Sequence, residues 1–272
     1  MGFSVNTNQG ALIALQNLNA TNRSLNTVQS RINTGLKVAG AKDDASIFAI
    51  AQTQRAELGG LSAVKSSLDR ATGSIDVALA GAEAVSDLLI QLKEKAVAAK
   101  DPGQDTTSRG LLDNDFQQLI SQIDTIVSNA EFNGLNNLKT AGSAIVAVVN
   151  ADASSSITIA ATSIHTTALS LADKSIGTAT NASNALTAID AGISTVNSVL
   201  STLGAGAKRV EIVGVFVEKL NDAIEVGIGN LVDADLARES AKLQSLQVKQ
   251  QLGLQALSIA NQAPGTVLSL FG

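Results

Sequence analysis

No cysteine, tryptophan or tyrosine occurs among the 272 residues; proline appears twice and histidine once. Without cysteine, neither a disulfide framework nor a thiolate metal site is open to the chain. The one imidazole, His165, sits between Ile164 and Thr166 with no carboxylate cluster beside it, and so reads as a strand residue rather than a catalyst or ligand. Aromatics make up 2% of the chain, all of them phenylalanine. A core of Ala, Val, Ile and Leu suits closely packed helices, whose axes approach when no large rings intervene. Basic charge is not in excess: the net charge of −5 leaves no electrostatic footprint for nucleic acid or an anionic membrane. No apolar run approaches the roughly 18 residues that span a bilayer. The N-terminus lacks a basic segment followed by an apolar one, so cleavage by the general secretory route is not expected. With charges scattered along helix faces, no catalytic, cofactor or metal site is expected, and the chain is not read as an enzyme.

What the sequence does hold is heptads. From Leu61 to Ala99, the positions Leu61, Val64, Leu68, Ala71, Ile75, Ala78, Ala82, Val85, Leu89, Leu92, Ala96 and Ala99 alternate steps of three and four without a miss. This predicts a helix about 60 Å long, at 1.5 Å per residue, too long for an ordinary compact domain. A second seven-residue row runs through Ala182, Ile189, Val196, Leu203, Val210, Val217, Ile224 and Leu231, with a companion at Leu186, Ile193, Leu200, Ala207 and Ile228. The glycine-rich stretch at 203–208 includes a lysine but lacks phosphate-loop spacing and lies within these heptads. Between the two runs, Asp101, Pro102 and Gly103 stop the first helix. Leu112, Phe116, Leu119, Ile123, Ile126 and Ala130 then predict a shorter helix turning back, ended by an Asn133-Gly134 turn. The Ser/Thr and β-branched segment at 141–171 predicts strands.

The two ends of the chain are unlike the middle. Residues 1–35 hold seven asparagines and two charges, Arg23 and Arg31, with an apolar stripe at Leu18, Leu25, Val28 and Ile32. Such an amide-rich helix is poorly stabilised alone and is suited to being surrounded. Gly35 and Gly40 break the pattern, and Lys42, Asp43 and Asp44 form a charged connection. The adjacent carboxylates could hold a cation or work as an acid–base pair; with no third ligand type nearby, helix capping is the better reading. At the other end, Asp233 and Asp235 can cap a last helix carrying Leu236, Leu243, Leu246, Leu257 and Ala260. Pro264 and Gly265 are expected to end it, leaving an apolar tail with Leu268, Leu270 and Phe271. The fold expected is mostly α: an elongated antiparallel helical coiled-coil rod with a small β segment and the termini paired as helices at one end. Neither end helix has a third partner in the chain, so burial of its stripe is expected against copies of the same protein.

Particular segments resemble the bacterial flagellins. They are Ser4-Val5-Asn6-Thr7-Asn8 with Ala11-Leu12; Arg31-Ile32-Asn33-Thr34-Gly35-Leu36 with Ala41-Lys42-Asp43-Asp44-Ala45; and Ala130-Glu131-Phe132-Asn133-Gly134. Near the C-terminus they are Asp233-Ala234-Asp235, Ala260-Asn261-Gln262-Ala263-Pro264 and Val267-Leu268-Ser269-Leu270-Phe271. The likeness covers about 1–140 and 180–272, and the short middle is similar to flagellins without large outer domains. It implies a filament subunit whose residues 1–35 and 235–272 pair as the inner tube of a hollow helical filament. The implied domains are 1–45, inner-tube helix and spoke; 46–140, rod helices; 141–178, a β-rich segment; 179–232, a rod helix; and 233–272, the second inner-tube helix.

On this reading the self-assembly residues are Leu12, Leu18, Leu25, Val28, Ile32, Leu243, Leu246, Leu257, Leu268, Leu270 and Phe271. The spoke residues are Arg31, Gly35, Lys42, Asp43 and Asp44. The resemblance further implies unfolded export through the flagellar type III apparatus with a chaperone, an extracellular location, and partners among sister flagellins, junction proteins and cap proteins. No nucleic acid or membrane partner is expected. The nearest rival is a hook–filament junction protein, which would cap filaments rather than grow them.

Overall fold

The computed structural model describes residues 7–268. Five helices and one hairpin follow in order: α1 Gln9–Thr34, α2 Ala45–Lys100, α3 Thr106–Asn129, β1 Ile145–Val148, β2 Ser156–Ile159, α4 Ala179–Val232 and α5 Leu236–Leu268. The chain divides into two compact units, 1–56 with 223–272 and 57–222. The long helices α2 and α4 each contribute to both.

In the 57–222 unit, all twelve positions of the 61–99 row are buried, none above 3% exposed. Lys65 pairs with Glu218 and Lys93 with Asp190, each at 2.7 Å. The two bridges fix an antiparallel register in which residue n of α2 lies level with residue 283 minus n of α4. The expected α4 row is buried from Ala182 through Val217, with Ile224 and Leu231 half-buried in the other unit. The companion row differs. Ala185, Gly192, Val199 and Gly206 are buried, whereas the expected Leu186, Ile193, Leu200 and Ala207 are half-buried. The two glycines face inward because other parts of the chain lie close on that side: a Cβ at Gly192 would touch Leu89 of α2 and Leu169, and one at Gly206 would collide with Ile159 of β2.

α3 returns along α2, with Lys95 Nζ 2.6 Å from Asp115. Its N-cap is Asp105, whose carboxylate accepts the Ser108 N–H at 2.6 Å. Its buried face is Phe116, Ile120, Ile123, Val127 and Ala130, sharing three positions with the expected row. Leu119 and Ile126 are half-buried because this face also covers the irregular chain that follows. The Asn133-Gly134 turn has positive φ at both residues, 50° and 79°, as a tight two-residue loop requires.

Among the described residues, strand structure is confined to β1 and β2, paired antiparallel with Ile145 opposite Ile159, and is much shorter than the expected 141–171. Ile145, Ala147, Ile157 and Ile159 point inward, as period-two alternation dictates. Beyond β2 the chain is held by side chains of α3 instead of a ladder. Asp124 accepts the Thr166 N–H and hydroxyl at 3.0 and 2.8 Å, Gln117 donates to the Lys174 carbonyl, and Asp113 accepts the Ile176 N–H. His165 therefore sits in a bend, not a strand, with Nδ1 3.2 Å from Asp124. The fully buried Asn136 organises the entry to the hairpin: its amide donates to the Val127 carbonyl while its oxygen accepts the Leu138 and Lys139 N–H groups.

Candidate self-assembly surface

The unit formed by 1–56 and 223–272 is built on α1 and α5, which pair antiparallel. Gln250 donates to Asn22 at 2.8 Å, Asn8 donates to the Ala260 carbonyl at 2.6 Å, and Arg31 lies 3.6 Å from Glu239. On α1 the seam is Leu18, Leu25 and Val28, all buried, with Ile32 half-buried. On α5 it is Glu239, Leu243, Leu246, Gln250, Gly253, Leu257 and Ala260, steps of four and three again. Gly253 lets the helices close where Leu18 faces it: a Cβ there would stand 3.3 Å from Leu18 Cδ1. Each fully buried aliphatic side chain contributes about 1.5–3 kcal/mol to this pairing.

Glu239 is 6% exposed, and its carboxylate is shared between Lys242 Nζ at 2.8 Å and Arg31. Sliding α1 by one heptad would strand this carboxylate away from Arg31. The Arg31–Glu239 pair therefore specifies register more than it adds stability.

Of the five residues expected to form the connection, Gly35, Asp43 and Asp44 shape the chain between α1 and α2, while Arg31 pairs with α5. Gly35 ends α1 with φ 71°, the left-handed cap that glycine adopts without strain. The following residues pair with the α4–α5 connection: Lys37 and Val38 donate to the Val232 carbonyl, and Ala234 donates to the Gly35 carbonyl. Asp44 accepts the Ser46 and Ile47 N–H groups at 3.0 Å and so caps α2. Asp43 accepts the Ala39 and Gly40 N–H groups and braces the loop. Lys42 is exposed. At the α4–α5 connection, the α5 cap is Asp235, which accepts the Arg238 N–H.

The structure thus brings Leu18, Leu25, Val28, Ile32, Leu243, Leu246 and Leu257 together within one chain, on the inside of the hairpin. Leu12 is different: it is 59% exposed. Ile13, Leu15, Val248, Leu252, Leu254 and Ile259 are likewise exposed, between 43% and 70%. Heptad reading picks out the seam and passes over this second set; the only signal for it is aliphatic residues where a solvated helix carries charge. Leu270 and Phe271 lie outside the described residues, and Leu268 is the last residue of α5. The expected stop at Pro264 is not seen, since α5 continues through it to Leu268. Proline lacks the N–H that would bond the carbonyl four residues back, Ala260, and that carbonyl takes the Asn8 amide instead.

Comparison with known proteins places this geometry in a family. The bacterial flagellin N-terminal helical region matches residues 5–143, and the bacterial flagellin C-terminal helical region matches 186–271. The chain is 48% identical to flagellin FljM of Caulobacter vibrioides over 269 residues, covering 98% of each chain. Four other flagellins of that organism are 45–47% identical to it. It is also 37% identical to a flagellin of Brucella melitensis over 281 residues, covering 98% of this chain and 99% of that one. Among solved structures, Bacillus cereus flagellin superposes with a TM-score of 0.51 at 20% identity, over 54% of this chain and 85% of that one. A putative flagellar hook-associated protein of Vibrio parahaemolyticus superposes at 0.59 and 10% identity, over 70% and 100%. These two likenesses concern the fold alone. By its matched regions and its full-length relatives, the chain belongs to the bacterial flagellins and is a structural subunit of the flagellar filament.

Proposed function

We propose that the α1–α5 hairpin is the polymerising surface of this subunit, and that it forms the inner tube of a hollow filament. The observation that carries the reading is the double use of apolar residues on these helices: one set closes the hairpin while a second, including Leu12, Leu252 and Ile259, faces outward. Exposed aliphatic side chains on both helices of a filament subunit are suited to burial against copies of itself. Unlike patches meeting head to tail give an open helical polymer, not a closed ring.

Sister flagellins are the natural co-assembling partners, since five flagellins of one organism resemble this chain over nearly their whole length. The extracellular filament also implies export through the flagellar type III apparatus, a chaperone, and junction and cap proteins at the filament ends. Full-length likeness to flagellins favours this reading over a junction protein.

The test is Leu252→Glu in the full chain, with growth followed from sheared filament seeds. The variant is expected to keep the helical content of wild type and to leave seeds unextended. Extension at the wild-type rate would contradict the proposal.

A further inference from the structure

A cleft of about 270 Å³ opens between the last turns of α1 and the connection that follows it, with Ser30, Arg31, Leu36, Ala39 and Asp43 in its lining. Two of these residues carry opposite charges and have hydrogen-bonding capacity to spare. Among the described residues the Arg31 guanidinium makes no hydrogen bond; it approaches Glu239 at 3.6 Å, and its Nε is buried without a partner. Asp43 gives Oδ2 to the Ala39 and Gly40 N–H groups, and no bond among the described residues takes Oδ1. A carboxylate entering this cleft would be repelled by Asp43, and an ammonium by Arg31. A primary amide suits both charges: its oxygen accepts from the guanidinium, its NH₂ donates to the carboxylate, and its methylenes lie on Leu36 and Ala39.

Helix α5 carries such amides where a solvated helix would carry charge. Gln244, Gln247, Gln251 and Gln255 are all exposed and fall within about 80° of one another around the helix. No charged residue follows Lys249 in α5. A ridge of this composition is suited to being covered rather than solvated. Gln251 and Gln255 cannot reach the cleft of their own chain. In the antiparallel register set by Asn22 opposite Gln250, Ser30 lies level with Lys242, about 14 and 20 Å along the helix pair from the two glutamines. Because cleft and ridge are unlike, each copy that uses one of each keeps the other free, and the contact propagates without closing.

We propose that the Arg31–Asp43 cleft is a carboxamide socket, and that in the polymer it receives Gln251 or Gln255 from α5 of a second copy. The amide is the selective element: it is the one side-chain group that meets a guanidinium and a carboxylate together without adding charge. The socket therefore fixes the register of one copy on the next, while the exposed aliphatic side chains supply apolar burial. The proposal rests on the polymer described above and names the partner of one polar site within it.

The test uses full-length protein and sheared seeds, with critical concentration read by pelleting and monomer folding checked by thermal melting. Gln251→Glu and Gln255→Glu each replace the amide by a carboxylate of nearly the same shape. At the position that enters the socket, the change is expected to raise the critical concentration by about tenfold or more. Adding Asp43→Asn removes the repelling charge and keeps an oxygen for the Ala39 and Gly40 N–H groups, so the pair should return to within about threefold of wild type. Wild-type growth of both glutamate variants, as when the ridge faces an open channel, would overturn the proposal, and so would a loss that Asp43→Asn does not relieve. The absence of native cysteine allows a direct reading of the contact. Filaments carrying Ser30→Cys with Gln251→Cys or with Gln255→Cys, treated with a short bis-maleimide, should dissolve into a ladder of covalent multimers that neither single-cysteine parent gives. Filaments that form and yield no ladder from either pair overturn the socket; where a cysteine pair does not assemble, the glutamate and asparagine variants decide. Leu252→Glu tests the polymerising hairpin separately, so failure of either idea is visible without the other.

Discussion

The Asn8 side chain stitches the first helix to the last: its oxygen accepts the Ala11 N–H at 3.0 Å, and its amide donates to the Ala260 carbonyl at 2.6 Å. The first bond caps α1; the second satisfies a carbonyl that Pro264 cannot. One asparagine thus settles a helix-end donor on α1 and an orphaned carbonyl inside α5, on the two helices of the hairpin.

Asn8→Ala is expected to cost about 2 kcal/mol in the pairing of α1 with α5, the sum of a cap and a hydrogen bond. Asn8→Asp keeps the acceptor and loses the donor. It should leave α1 as protected as in wild type while speeding amide exchange in the last turns of α5. Hydrogen exchange resolved by residue checks both, and equal exchange in the two variants at both helices would refute the division of labour.

Gly206 and Gly204 make a matched pair on one helix. A Cβ at 206 meets the buried Ile159 side chain, whereas one at 204 meets open space. Alanine relieves the helix cost of glycine, about 1 kcal/mol, at either site. At 206 the overpacking penalty of about 1–3 kcal/mol outweighs it. Gly204→Ala should therefore raise the melting temperature and Gly206→Ala lower it, as thermal melts of the two variants will show.

Lys65 and Glu218 are both exposed, and each shifts the other: the hydrogen bond and charge of Glu218 raise the lysine above its ordinary 10.5, and those of Lys65 lower the glutamate below its ordinary 4.5. The glutamate's contribution is present above pH 4.5 and lost as pH falls through its depressed value in the folded protein. The lysine's is present below pH 10.5 and lost as pH rises through its raised one. Glu218→Gln should lower the melting temperature slightly at pH 7, with the difference vanishing well below pH 4.5 and well above pH 10.5. Melts across pH at low salt measure it.

Leu257 lies half-buried on the α5 seam. Leu257→Asp puts an unpaired carboxylate into that contact at a cost on the order of a few kcal/mol. The expected product is a soluble protein with the 57–222 unit intact and no polymer growth. Sedimentation and limited proteolysis check the two halves of the statement.

The sequence displays some of this fold openly and hides the rest for physical reasons. The α2 seam is legible because apolar residues recur at heptad spacing without a gap, and every member is buried. The inner row of α4 is not, since Gly192 and Gly206 are selected for their lack of side chain and leave no hydrophobic signal. A similar blindness affects the segment after β2, which Asp113, Gln117 and Asp124 hold by hydrogen bonds that no period announces; strands were the wrong expectation there. On the α1–α5 hairpin, the buried Leu18 and Leu25 are easy to find, while the exposed Leu252 and Ile259 fall between the seam's heptad positions. The Pro264 stop is misread because the compensating donor, Asn8, lies at the far end of the chain.

Electron cryomicroscopy of the assembled filament tests the central claim most directly. The account predicts α1 and α5 at the innermost radius around a hollow channel, with Leu12, Leu252 and Ile259 packed against neighbouring subunits. A map with those helices on the outer surface, or with these side chains facing solvent, would contradict it.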